Sequence, residues 1–371
     1  MNRRNYGVDS SSFAKDLAQI LSLNIHGFVM LISDLPGKLT LRVAVAAGAL
    51  LALGACASSG PASLEQAELD RETTFQHQLV LEEKVATQRR IEEVSFRLMT
   101  AAADFCVDRR GAAYGFTVAD RYSFGAGMVD VATAAFGLDN SAKVLSVTRG
   151  SPAFEAGLIE GDVITRVNGK PIKPGKNSAN RVSDMVAKAG YNGLNLNIGG
   201  ANPRRVRIDP AAACNYSIEI LNSDKVNAYA DGDMLRVTKG MMWFAKDDAE
   251  LAMVLSHELA HNLMGHAGTF ASMFYNKKSR EADADYVGLY IMARGGFEIE
   301  KASKFWRRLA AAFPRMIESS SSHPLMPARF LAIRKTTEEI RAKEAKGLPL
   351  VPRRVDNLAA IGSSAPRQPE S

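Results

Sequence analysis

Residues 248–264 read DAELAMVLSHELAHNLM, and this stretch decides how the C-terminal part of the chain is built. Ala249, Leu251, Ala252, Val254 and Leu255 place apolar side chains on most faces of a helix, so the segment predicts a buried one. Inside it, His257-Glu258-Leu259-Ala260-His261 sets two imidazoles four residues apart. On a helix those positions share a face, and both rings can reach one metal ion. Glu258 stands beside them, able to take a proton from a metal-bound water, whose pKa zinc lowers to about 7. Such a motif also arises by chance. The buried apolar setting is what raises it above that level.

Catalytic zinc needs a third protein ligand and one position left for water. His266 is one candidate, but on a continuous helix it falls on the far side from His257. A third histidine ten residues after His257 would fit a different spacing, and Ala267 stands there. The better candidate is Glu281, in Ser279-Arg280-Glu281-Ala282-Asp283-Ala284-Asp285, which continues as a helix through Tyr286–Gly295. Asp285, one turn later on the same face, is placed to hydrogen-bond a ligand imidazole and fix its tautomer. The plain alternative is that both acids lie on a solvated helix surface.

Residues 217–335 resemble the HtpX-like and CAAX-prenyl-protease-like zinc metallopeptidases, a gluzincin family. The matching pieces are Asn227-Ala228-Tyr229-Ala230, a strand ending at Gly240, and Glu250-Leu251 ahead of H-E-L-A-H. Arg280 to Asp285 and Ser322-His323-Pro324 followed by Arg329 complete the set. The resemblance implies one zinc ion per chain, held by His257, His261 and Glu281, with Glu258 as general base. It also places His323 and Arg329 near the cleft. Two uses are open: stabilising the oxyanion that develops on the attacked carbonyl, or, for His323, occupying the open zinc position at rest. His323-Pro324 read as a simple loop terminator is the alternative. Met234–Val237 predicts a strand beside the active-site helix, whose exposed edge would align extended substrate.

Residues 150–169 have another character. Ser151-Pro152 opens a short helical turn, Val163, Ile164 and Val167 make a strand, and Asn168-Gly169 is a strong hairpin signal. This string resembles a PDZ domain of the bacterial protease-associated type over roughly 118–209. The resemblance implies a peptide groove flanked by Lys143–Val147 and a helix near Asn180–Ala189, with Phe136-Gly137-Leu138 as the candidate carboxylate-binding loop. A peptide ligand in that groove is one use; a spacer or lid is the other.

Ahead of these, Leu64 to Phe105 lacks Gly and Pro, and Ile91, Val94, Leu98 and Phe105 predict an amphipathic helix. Earlier still, Lys38 and Arg42 precede an apolar run, Val43–Leu53, too short to span a bilayer. The ending Leu53-Gly54-Ala55-Cys56 resembles the lipobox of bacterial lipoproteins, with Cys56 lipidated and Met30 a start of more ordinary length. Ala57 after the cysteine favours the outer membrane by resemblance to sorting rules. The expectation is a periplasmic lipoprotein tethered through residues 57–63. In an exported chain the remaining pair, Cys106 and Cys214, is a disulfide candidate bracketing the PDZ-like region. A net charge of +6 without a dense basic run with interleaved aromatics argues against nucleic acid.

The expected class is α+β: a mostly helical metallopeptidase domain with a small sheet, and a β-rich PDZ-like domain inserted before it. The expected order is a signal region (1–56), tether, helical segment (64–117), PDZ-like domain (118–209), peptidase (210–346) and a disordered tail (347–371). The function expected is zinc-dependent endoproteolysis of unfolded or extended cell-envelope proteins. A chaperone-like or scaffolding lipoprotein that binds through the groove without cleaving is the alternative.

Overall fold

The computed structural model describes residues 65–106, 108–266, 277–317 and 327–353. Cys56, the 57–63 tether, His323 and residues 354–371 of the tail lie outside the described residues. The chain divides into two units, 1–72 and 73–371, and everything below concerns the second except the first turns of one helix. Helical and strand segments are segregated, which makes the class α+β.

Helix α1 (Gln66–Ala101) runs 36 residues, with no Gly or Pro to interrupt it. Its buried positions include Leu81, Val85, Ile91, Val94 and Leu98. Two cores share this stripe. Leu81 packs with Ala119, Val131, Ala132 and Leu138, whereas Ile91, Val94 and Leu98 join the core of the catalytic helices. Adjacent arginines divide the same way. Arg89 donates to the Leu145 carbonyl at 2.7 Å, and Arg90 to that of Met242 at 3.0 Å. So α1 packs on both halves of the molecule, not on the peptidase alone.

After it, β1 (Arg110–Ala113) pairs antiparallel with β8 (Ala211–Cys214) as a two-stranded ribbon. Cys106 and Cys214 are joined by a disulfide there, with Cα atoms 5.5 Å apart. The chain between leaves and returns through this ribbon. It forms a sheet in the order β2 (Phe116–Ala119), β3 (Lys143–Val147), β4 (Val163–Val167), β6 (Leu194–Gly199), β7 (Arg204–Ile208). The hairpin strand β5 (Lys170–Pro171) pairs with β4. Asn168 and Gly169 between them both take positive φ, 49° and 78°, as a tight two-residue turn requires.

Three expectations for this region need correction. A boundary at 118 falls inside β2, which begins at Phe116, and one at 210 assigns β8 to the peptidase although it pairs with β1. Phe136-Gly137-Leu138 is not a loop over a groove. Phe136 ends helix α2 (Val129–Phe136), Gly137 is its left-handed cap, and Leu138 is buried beside Leu81. Nor is β3 at the sheet edge. One edge is β2, which pairs only with β3 and packs on helix α4 (Ser178–Ala189); the other is β7. The chain enters β2 through Gly115 at φ +79°, where any Cβ would collide with Ser151.

The chain after β8 opens with a three-stranded sheet in the order β10 (Ala228–Ala230), β11 (Met234–Thr238), β9 (Ser217–Leu221). Here β11 is central, antiparallel to β10 and parallel to β9, so it offers no free edge; β10 does. The strand also stops before Gly240. Thr238 accepts the Met241 amide at 3.2 Å and caps the short helix α5 (Lys239–Phe244), as Ser151 caps the short helix α3 (Pro152–Glu155). Gly240 is needed there because a Cβ would lie 2.2 Å from the Asp224 carbonyl oxygen.

Four helices complete the core: α6 (Asp248–Leu263), α7 (Lys277–Arg294), α8 (Glu300–Ala312) and α9 (Pro327–Ala345). Asp247 starts α6 by accepting the Glu250 amide at 3.0 Å. From Ala249 to Asn262 every α6 residue is buried. Against it lies α7, whose Gly288 has room for a Cβ only at 3.1 Å from His257 N. The two backbones approach closely at the motif.

Candidate metal centre

Helix α6 presents His257, Glu258 and His261, and α7 brings Glu281 to them. His257 Nε2 and His261 Nε2 are 3.2 Å apart. They lie 3.5 and 3.4 Å from the two oxygens of the Glu281 carboxylate. Ligands at about 2.0–2.1 Å around a tetrahedral zinc ion stand roughly 3.3–3.4 Å from one another. The three side chains, all buried, therefore already have the spacing such an ion requires. Glu258 is 3% exposed and follows His257 directly.

Around this set lies a second layer. His257 Nδ1 is 3.0 Å from Asp285 Oδ1, within hydrogen-bonding reach, so its Nε2 is the nitrogen turned toward His261 and Glu281. Arg329, from α9, donates Nε and Nη2 to Asp285, both at 2.7 Å. Its Nη1 lies 3.1 Å from Glu281 Oε2. The Trp306 ring of α8 stands edge-on to the His257 ring, with centroids 5.5 Å apart. The Arg329 guanidinium lies 5.3 Å from the same indole.

The electrostatics favour a cation. Burial alone would lower the His257 pKa, but Asp285 and Glu281 outweigh it and raise the value to about 10. Burial pushes Asp285 upward, yet Arg329 and His257 hold it below the ordinary carboxylate range. His261 is pulled down, by burial and by its histidine neighbour. Two buried carboxylates face one guanidinium, so a positive charge at the two imidazoles is welcome. The donor set of two imidazoles and a carboxylate suits zinc.

Arg329 is thus near the cleft, but its expected role needs revision. The guanidinium is engaged with Asp285 and Glu281, an arrangement that orients a candidate ligand and its neighbour rather than offering a free oxyanion donor.

His266 does not lie across a continuous helix. Helix α6 stops at Leu263, Gly265 turns at φ +66°, and the chain folds back. His266 Nδ1 then lies 3.1 Å from His261 Nδ1. Burial, with His261 and Arg280 nearby, pulls its pKa down to about 4. The signal was present as Gly265, a residue suited to ending a helix. Asn262 was also missed. It accepts the Gly232 amide at 2.7 Å and donates to the Met234 carbonyl at 3.3 Å, tying the β10–β11 turn to α6.

A family model described as Peptidase family M48 matches residues 207–276, a span that includes H-E-L-A-H. This chain carries an M48 peptidase domain. A PDZ-domain model matches residues 143–191, from β3 to just past α4. The M48 match ends before Glu281, so that candidate ligand is placed beside the histidines by the structure. Peptidases of family M48 are metal-dependent, in keeping with the His257, His261, Glu281 cluster.

Two curated relatives are mitochondrial metalloendopeptidases named OMA1. The Schizosaccharomyces pombe protein is 21% identical over 188 residues, covering 41% of this chain and 56% of its own length. The Homo sapiens protein is 25% identical over 158 residues, covering 30% of each chain. The chain thus spans about half or less of the relatives it matches. Among solved structures, the HtrA3 PDZ domain bound to a phage-derived ligand is similar at 19% identity and a TM-score of 0.23. That match covers 29% of this chain and 91% of the other. A PDZ domain protein from Parabacteroides distasonis is similar at 20% identity and a TM-score of 0.22, covering 39% of this chain and 25% of its own.

Proposed function

We propose that the chain is a zinc-dependent endopeptidase in which His257, His261 and Glu281 hold the ion and Glu258 is the general base. The observation that carries this reading is the 3.2–3.5 Å spacing of the two imidazole Nε2 atoms and the two Glu281 carboxylate oxygens, from three buried side chains, with Glu258 next on the same helix. A zinc ion there would supply Lewis acidity, lowering the pKa of a coordinated water to about 7 and polarising the scissile carbonyl. Glu258 would act as general base, its carboxylate accepting the proton of the attacking water and passing it to the leaving amine. Asp285 and Arg329 keep His257 and Glu281 in register meanwhile.

Substrate would enter extended along β10, the edge of the three-stranded sheet that packs against α6, rather than along the opposite edge, β9. Edge pairing needs a segment whose own backbone is unpaired, so unfolded or misassembled proteins are the substrate class. We place the enzyme in the periplasm as an outer-membrane lipoprotein on the strength of Leu53-Gly54-Ala55-Cys56. No helix among the described residues is long and apolar enough to cross a membrane.

A second reading, peptide capture without cleavage, is favoured by the other edge strand, β2, facing α4 in the PDZ domain. One experiment separates the two. Bound metal and casein cleavage are measured for the protein and for Glu258→Gln. Zinc near one per chain in both, with cleavage at least about a thousandfold lower in the variant, supports the peptidase. Zinc without cleavage in either supports capture, and no metal in either overturns the metal centre.

A further inference from the structure

His266 belongs to neither the proposed ligand set nor the proton-transfer step, yet it is buried against a ligand. Its place follows from how α6 ends. Gly265 donates its amide to the Asn262 carbonyl at 3.1 Å, and His266 donates to the His261 carbonyl at 2.9 Å. With Gly265 left-handed, this is the Schellman helix stop, in which the second residue past the cap returns over the residue three from the end. That juxtaposition is commonly used for a hydrophobic contact. Here the two residues brought together are His266 and His261, with ring centroids 5.2 Å apart. Arg280 of α7 donates to the His266 carbonyl at 3.1 Å and fixes the turn from the other side.

The Nδ1 atoms of the two rings are 3.1 Å apart, a hydrogen-bonding distance; between neutral imidazoles it holds one proton, and there are two ways to place it. If His266 donates, His261 carries its own proton on Nε2, the nitrogen facing His257 and Glu281, and cannot ligate a metal. If His261 donates, its Nε2 lone pair is free. We propose that His266 is a positioning residue for the metal centre: its unprotonated Nδ1 accepts the Nδ1–H of His261 and holds that ring in the one tautomer and orientation able to bind metal. His257 receives the same service from Asp285, a carboxylate. The two ligands are therefore set by partners of different charge, one anionic and one neutral. The neutral partner completes the shell without adding another buried acid to Glu258, Glu281 and Asp285.

This inference rests on the metal reading above, and the test keeps the two apart. Zinc affinity by chelator competition, and the visible spectrum of the cobalt-substituted protein, are measured for the parent, His266→Asn and His266→Leu. The asparagine amide oxygen can accept near the position of Nδ1; leucine fills the space without an acceptor. Melting of the metal-free proteins reports any purely structural loss. The expected result is an affinity loss of about 10- to 100-fold with shifted cobalt bands for leucine. Asparagine should stay within about threefold of the parent, and metal-free melting should not separate the two variants. Leucine binding zinc as tightly as the parent overturns the inference alone, and so does asparagine failing as badly as leucine. Nitrogen-15 shifts of the zinc-loaded parent need no variant to fold: a protonated His266 Nδ1 overturns the inference, an unprotonated one supports it. A parent that binds no zinc overturns the metal reading itself.

Discussion

Arg329 shows how much one side chain can hold. Three of its nitrogens engage Asp285 and Glu281, and Asp285 in turn reaches His257. A lysine at this position keeps the charge but not the fork, so it can serve one carboxylate at a time. Arg329→Lys should therefore lower zinc affinity by about tenfold or more, measured by the same chelator competition. Arg329→Leu removes the charge as well and leaves two buried acids facing each other. It should cost about 3–5 kcal/mol in urea unfolding of the metal-free protein. Equal unfolding midpoints for the parent and the leucine variant would show that the pair is not the clamp described here.

Helix spacing is decided at a glycine. Gly288 lets α7 come within contact of the α6 backbone at His257. Gly288→Ala gains up to about 1 kcal/mol of helix propensity but forces the backbones apart, a strain of about 1–3 kcal/mol in a packed core. Glu281 rides on the same helix, so the variant should lose metal affinity out of proportion to its small loss of stability. Calorimetry of zinc binding beside thermal melting would show that difference, and an unchanged affinity would deny it. This coupling also marks what could be read from residues alone. The i, i+4 spacing of His257 with His261, and of Glu281 with Asp285, is local and was legible, as were the hairpin at Asn168-Gly169 and the α+β class. Strand order is not local. Nothing within Met234–Thr238 says that β9 arrives on its other side, which is why β11 looked like an edge. Phe136-Gly137-Leu138 misled for a related reason: a glycine after a short helix looks the same whether it opens a loop or closes the helix. His266 was misread because a repeating period says where a helix points, not where it stops.

On the scale of the whole molecule, the disulfide joins residues 108 positions apart at the ribbon where the PDZ part leaves and returns. Closing a loop of that length stabilises by roughly 4–5 kcal/mol in the chain-entropy account. The double variant Cys106→Ser, Cys214→Ser should unfold at correspondingly lower denaturant while keeping zinc near one per chain, because neither cysteine is among the proposed ligands or the side chains hydrogen-bonded to them. A variant that lost metal together with stability would mean that the neck shapes the centre directly. The same long separation sets a timetable for synthesis. The apolar stripe of α1 emerges first, but Leu251 and Val254, which share its core, lie some 150 residues later. Whether it leaves a ribosome or an export channel, the chain presents that stripe before those partners. Until they arrive, the Leu81 end of the helix has apolar partners in Ala119, Val131 and Leu138 of the intervening domain, and Arg89 and Glu92 have polar ones in Leu145 and Ser146. The PDZ part would thus serve the newborn chain as a scaffold for the waiting helix before it serves the finished enzyme.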